Sequence, residues 1–169
     1  MKRVFSVVIC FVLARGFFCP SAQTHPDFSG FWQQNMEKSS KTSLQRYANR
    51  ITQAGEMLTV TTTMGGSRGE SSYDRTYVIG KENQSRDRDG DQLTSVVRWE
   101  GDTLVFLTTE GEHTGTIETR ETWTLSPDRK TLTKVRLSHG PHGDTEQHYV
   151  LEKSIGADGG GAAQAPPRH

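Results

Sequence analysis

Four nitrogen- and oxygen-donor side chains fall within ten residues of the stretch SHGPHGDTEQH: His139, His142, Asp144 and His148. Zinc takes such ligands, and a hairpin could converge them on one ion. Their spacing repeats no known metal pattern, however. A polar Gly/Pro loop at the surface, with His148 on the next strand, accounts for the same residues, so no metal or other cofactor is expected. Asp87 to Asp91, DRDGD, begins like a calcium loop. That loop needs a glutamate at its twelfth position, and position 98 is Arg98. An Asp-Gly turn between strands is the simpler account. There is no serine or cysteine nucleophile motif and no phosphate-cradling glycine loop. An enzyme is therefore the reading with the least behind it.

The acids Glu110, Glu112, Glu118 and Glu121 are the places to look for paired carboxylates. Residues two apart share a face in a strand. Glu118 then lies on a wet face with Arg120, whereas Glu121 shares its face with Thr119, Trp123 and Leu125 and points inward or toward an opening. An inward carboxylate must be paired or have a raised pKa. Glu121 is either a structural hydrogen-bond partner of a Tyr or Arg, or a polar group that orients a ligand.

Strands must position these residues, because almost nothing in the chain has helical period. Thr and Gly are frequent, apolar residues come in twos and threes, and turn signals recur. Eight or nine antiparallel strands are expected, at about 30–36, 47–53, 57–64, 72–79, 91–99, 102–109, 116–125, 131–138 and 145–152. Ala54-Gly55 reads as a two-residue turn that sets Ile51 opposite Leu58. Glu100-Gly101 reads the same way and sets Val97 opposite Leu104. Ser126-Pro127-Asp128-Arg129 reads as a type I turn with Pro127 fixing φ, and Arg129 takes a left-handed position where glycine would be easier. On the inner faces Ser95, Val97 and Trp99 join Leu104 and Phe106, and Trp123 and Leu125 join Val135 and Leu137. Arg98, Glu118, Arg120, Lys134 and Arg136 fall on the outer faces. Sequential hairpins make a meander, and a meander of this length curls and closes to remove its edges. The one possible helix is short, around Glu37–Arg46.

The chain starts with Met1-Lys2-Arg3 and an uncharged apolar run from Val4 to Ala14. That run is too short for a membrane span, which needs ~20 residues. With the small residues that follow, residues 1–22 read as a secretory signal cut after Ala22. Cys19 lacks the small residue that precedes a lipid-anchored cysteine, so no stable membrane anchor is expected. Removing 1–22 takes Lys2, Arg3 and Arg15 and no acid, leaving 17 basic against 20 acidic residues. That balance argues against nucleic acid and against an anionic membrane surface. Cys10 and Cys19 leave with the signal, so no disulfide staples the mature chain. A bacterial periplasmic or secreted protein fits such cysteine-free export. Residues 27–153 form the expected single domain, and the Gly/Ala/Pro-rich stretch 154–169 reads as a disordered tail.

Gly30 and Trp32 on the first strand of such a meander resemble the lipocalin signature. The resemblance implies a tryptophan that caps the closed end of a barrel, a glycine that permits close approach, and a late-strand cation over the indole, for which Arg136 is the candidate. A nearer likeness is to short exported bacterial lipocalin-like proteins, mostly without a known function. The residues that carry it are Asp27-Phe28-Ser29-Gly30-Phe31-Trp32, then Ile51, Gln53, Gly55 and Leu58, then Trp99, Gly101, Asp102, Leu104 and Val105, then Glu121-Thr122-Trp123 and the 125–133 turn, with Arg129 where the pattern has glycine.

The fold class expected is thus all-β, an antiparallel meander in a closed or nearly closed lipocalin-like barrel. Eight-stranded barrels hold either packed side chains or one small ligand. The leading expectation is an exported, monomeric binding protein for an apolar or amphipathic small molecule, with Tyr77, Trp99, Phe106, Glu121 and Trp123 as ligand-binding residues. The rival is a filled barrel serving as a structural or interaction module of the envelope. Interior volume separates them, since a void of at least ~300 Å³ favours a ligand.

Overall fold

Alternation sets the architecture. In Gln92–Glu100 the side chains of Leu93, Ser95 and Val97 are buried while those between them are not, which is how a strand with one dry face behaves. The computed structural model describes residues 25–86, 90–112 and 115–154. The expected signal peptide 1–22, the whole of the tail after Ser154, and three of the five residues of DRDGD lie outside the described residues.

Ten strands follow in chain order: β1 (Gly30–Gln34), β2 (Arg46–Ala54), β3 (Met57–Gly66), β4 (Gly69–Val78), β5 (Glu82–Arg86), β6 (Gln92–Glu100), β7 (Thr103–Glu112), β8 (Gly115–Leu125), β9 (Thr131–His139) and β10 (Thr145–Lys153). They form one antiparallel sheet in the order β4-β3-β2-β1-β10-β9-β8-β7-β6-β5. The first and last strands pair, Trp32 opposite Lys153, so the sheet curls into a barrel whose seam lies between β4 and β5. The seam is stitched at one end. Gly80 N–H donates to Val97 O at 2.7 Å. The Asn83 side-chain amide accepts from Val78 N–H at 2.7 Å and donates to Val78 O at 3.2 Å, replacing a missing ladder rung.

The nine expected strands are present, and β5 is the tenth. Its sequence, Glu82 to Arg86, has no apolar residue and so no alternation to read. Among the described residues there is no helix, and the stretch around Glu37–Arg46 runs as turns and bends into β2.

Two hairpin registers differ from expectation by two residues. The loop residues are Gly55-Glu56 and Gly101-Asp102, which places Ile51 opposite Val60 and Val97 opposite Phe106. Glycine occupies the first loop position in each, at φ +60° and +62°, the position a II′-type turn reserves for it. A shift of two leaves every face unchanged. The third hairpin shifts by an odd number, and there the faces change. Residues 126–130 all belong to the loop, with Arg129 at φ +56°, so Trp123 faces Lys134 and Leu125 faces Leu132. Lys134 and Arg136 therefore point inward, and Val135 and Leu137 outward, with Leu137 44% exposed. A one-residue slip inverts a whole strand.

One end of the barrel is filled. Phe28, Trp32, Ile51, Leu58, Ile79, Val97, Leu104, Leu132 and Leu151 form a continuous buried cluster near the Gly55, Gly101 and 126–130 turns. The segment before β1 closes this end: His25 stacks on Trp99 with centroids 4.3 Å apart, and Phe28 lies 5.8 Å from the same ring. Trp32 is fully buried, and its indole N–H donates to Phe28 O at 2.8 Å. The cation over Trp32 is Lys153, at 5.2 Å from the ring, in place of the expected Arg136. Backbone conformation explains Gly30: its φ of +146° is one that L side chains rarely adopt, whereas the Lys153 Cε that a Cβ would meet at 2.7 Å is the movable end of a side chain.

Candidate functional site

Past Phe106 and Trp123 the packing stops and a cavity of about 530 Å³ opens toward the other end. Its floor is aromatic. Phe106 and Trp123 have centroids 4.5 Å apart, and Tyr77 meets Phe106 edge-on at 5.2 Å. Val60, Leu93 and Met64 add apolar wall, while Thr62, Thr108 and Thr119 make the remainder polar. The hydroxyls pair across strands: Ser95 with Thr108 at 2.9 Å and Thr119 with Ser138 at 2.9 Å. They are satisfied without water, as buried hydroxyls usually are.

Charge enters this cavity from several strands. Lys134, Arg136, Arg75, Arg86, Glu110 and Glu121 all line it. Lys134 is the buried one, 2% exposed. Its Nζ lies 3.7 Å from the centroid of the Trp123 ring, a cation–π distance, and donates to Asn49 Oδ1 at 2.5 Å. Asn49 is itself oriented, since its Nδ2 donates to Thr62 Oγ1 at 3.0 Å and to Ala48 O at 3.1 Å. Burial pulls the Lys134 ammonium down to about 8, against the raising influence of Glu121, with Arg136 acting in the same direction as burial.

Glu121 points inward as its position in the strand requires. Its partner is neither Tyr nor Arg: Oε1 accepts from the Trp123 indole N–H at 2.5 Å. Arg136 lies directly across the ladder from Glu121, yet its buried Nε has no hydrogen-bond partner among the described residues. Gln34 on β1, only 6% exposed, likewise has neither amide atom bonded. Tyr47 and Tyr149 stack at 5.4 Å, and burial raises the phenol pKa of both, as it does for Tyr77.

Of the residues expected to meet a ligand, Tyr77, Phe106, Glu121 and Trp123 line this cavity, and Trp99 does not. Its ring is covered by His25 and Phe28 in the filled end. Lys134, Arg136 and Asn49 were absent from the expected set. A loop count of five before β9 is the sequence signal that would have turned Lys134 inward.

The four metal candidates do not come together. His139 Nδ1 bonds Asp144, and His148 Nε2 meets Glu146 at 2.7 Å. His142 lies apart from both in an exposed turn. No group of three or more donors occurs among the described residues.

No protein-family model matches the chain, and no curated protein matches it. Several solved structures share its fold. Secretory abundant heat soluble protein 4 from Ramazzottius varieornatus is 14% identical, with a TM-score of 0.57 over 76% of this chain and 95% of that one. The REP1-NXSQ fatty acid transporter is 10% identical, with a TM-score of 0.56 over 77% and 98%. Human cRBP IV is 16% identical, with a TM-score of 0.57 over 76% and 99%. At such identities the likeness concerns the fold alone, an antiparallel meander curled into a barrel.

Proposed function

We propose that this chain is an exported bacterial binding protein that holds one amphipathic small molecule inside its barrel. The observation that carries this reading is the cavity of about 530 Å³ with an aromatic floor and an inward lysine and arginine. It lies within the ~300–1,000 Å³ typical of ligand sites and above the size at which a filled barrel is the better account. The apolar part of the ligand packs on Phe106, Tyr77, Val60 and Leu93. Its polar end carries acceptor oxygens and meets Lys134 and Arg136, whose unpartnered Nε is a donor held in reserve. Unpaired buried donors are costly, so a ligand that supplies the acceptor gains from this one. One neighbour in fold is a fatty acid transporter by name, which agrees with an amphipathic occupant. Export rests on residues 1–22 alone, and an intact mass starting near Gln23 is the check on it.

Native mass spectrometry of the protein purified from its own envelope tests the binding reading. A co-purified small molecule of fixed mass, lost on denaturation, is expected. Ligand-free protein that also fails to take up a fluorescent aromatic sulfonate would favour the structural module.

A further inference from the structure

A buried lysine facing a cavity can do more than attract an anion. Lys134 is the one lysine buried among the described residues, all others there being exposed. Its Nζ has no carboxylate within ion-pair distance among them. Its acceptor is the neutral Asn49 Oδ1, and it lies over two ring faces, Trp123 at 3.7 Å and Tyr47 at 6.0 Å. Asn49 cannot turn away, because its amide nitrogen is held by Thr62 and Ala48. An amine that donates one hydrogen to that oxygen keeps its lone pair for the cavity. Desolvation favours this neutral form, and the lowered pKa agrees. Glu121 lies on the same inner face of the sheet, in the next inward pair along β8 and β9.

From this geometry we infer that Lys134 is a carbonyl-capturing residue, forming a reversible Schiff base with a long-chain aldehyde bound in the cavity. The inference rests on the binding reading above and specifies the ligand's polar end. The neutral amine of Lys134 attacks the aldehyde carbon: the C–N bond forms as the C=O π bond breaks, and one proton passes from the nitrogen to the carbonyl oxygen, giving a carbinolamine. That hydroxyl takes a proton from solvent and leaves as water when the C–O bond breaks, and the nitrogen lone pair closes a protonated C=N bond. The step consumes no oxidant or reductant. The Glu121 carboxylate offsets the charge of the protonated imine, and Asn49 Oδ1 accepts its N–H. Lysines in desolvated pockets are the ones that do this chemistry.

The test is reductive trapping of the full mature chain with dodecanal and cyanoborohydride, followed by peptide mapping. One adduct per chain on the Lys134 peptide is expected, formed at least about tenfold faster than at any exposed lysine, as a lowered pKa and a bound aldehyde require. Asn49→Asp keeps Lys134 but sets a carboxylate against the ammonium, and it should suppress the adduct. Lys134→Arg should abolish it. Displacement of a fluorescent aromatic sulfonate by dodecanol is followed in parallel. Adducts spread over exposed lysines, with dodecanol still competing, overturn the capture and leave the binding reading standing. If neither dodecanol nor dodecanal competes and Lys134 stays unmodified, both fall together.

Discussion

Trp32 shows how one side chain can hold an end of the barrel. It is wholly buried, its indole N–H is bonded to Phe28 O, and Lys153 covers its ring. Trp32→Ala should therefore cost ~3–5 kcal/mol, the range for deleting a buried aromatic. Gly30→Val should also destabilise, because its φ of +146° is a conformation that L side chains rarely adopt. Urea melts measure both, and an unchanged midpoint for Trp32→Ala would remove the plug from this account. Arg129 is the opposite case. It holds a left-handed φ of 56° where glycine is free of strain, so Arg129→Gly should raise stability by up to ~1 kcal/mol. A fall in the urea midpoint would mean that the arginine side chain earns its place by contacts.

At the scale of elements, the strands were legible wherever apolar residues alternate. Every strand with a dry face could be located, and β6 with β7 could be assigned the right inner residues even with the turn misplaced. What alternation cannot report is a loop's residue count. One uncounted residue between β8 and β9 decides whether Lys134 or Val135 faces the core, and a lysine in an alternating strand reads by default as solvent-facing. Strand β5 escaped for a different reason. It is held by hydrogen bonds to β6 and by the Asn83 side chain, neither of which leaves a hydrophobic trace. Asn83 spans the seam at 2.7 and 3.2 Å to the main chain of Val78. Asn83→Ala should leave the Val78 N–H unpaired, while Val78 O keeps its bond from Lys81 N–H, and cost ~1–3 kcal/mol. The expected signature is local: faster amide exchange across β4 and β5, with β7 to β10 protected as before. Uniform loss of protection would show that the seam is not a separate weak point.

On the scale of the whole molecule, the barrel is filled at one end and hollow at the other, and the boundary between the halves is where Lys134 sits. Burying a cation there makes the fold sensitive to pH. In the folded chain Lys134 titrates at about 8, below its ordinary 10.5. Between those values the unfolded chain holds a proton that the folded chain has released. Stability must then rise with pH across this window, by about 3 kcal/mol in total if the shift is fully expressed. The neighbours that could mask the effect are Glu121, Arg136, Tyr47, Tyr77 and Tyr149. The three tyrosines act in the opposite sense: burial raises their folded pKa values, so the unfolded chain loses protons first and stability falls above about pH 10. A maximum near pH 9–10 is therefore expected in the urea midpoint, well above the pH at which most small domains are steadiest. Lys134→Met keeps the tyrosines and removes the lysine, so its profile should be flat from pH 7 to 9.5 and fall beyond. Parallel profiles for the two proteins over that range would mean that Lys134 keeps its proton inside the barrel, with Glu121 and Asn49 compensating fully for its burial.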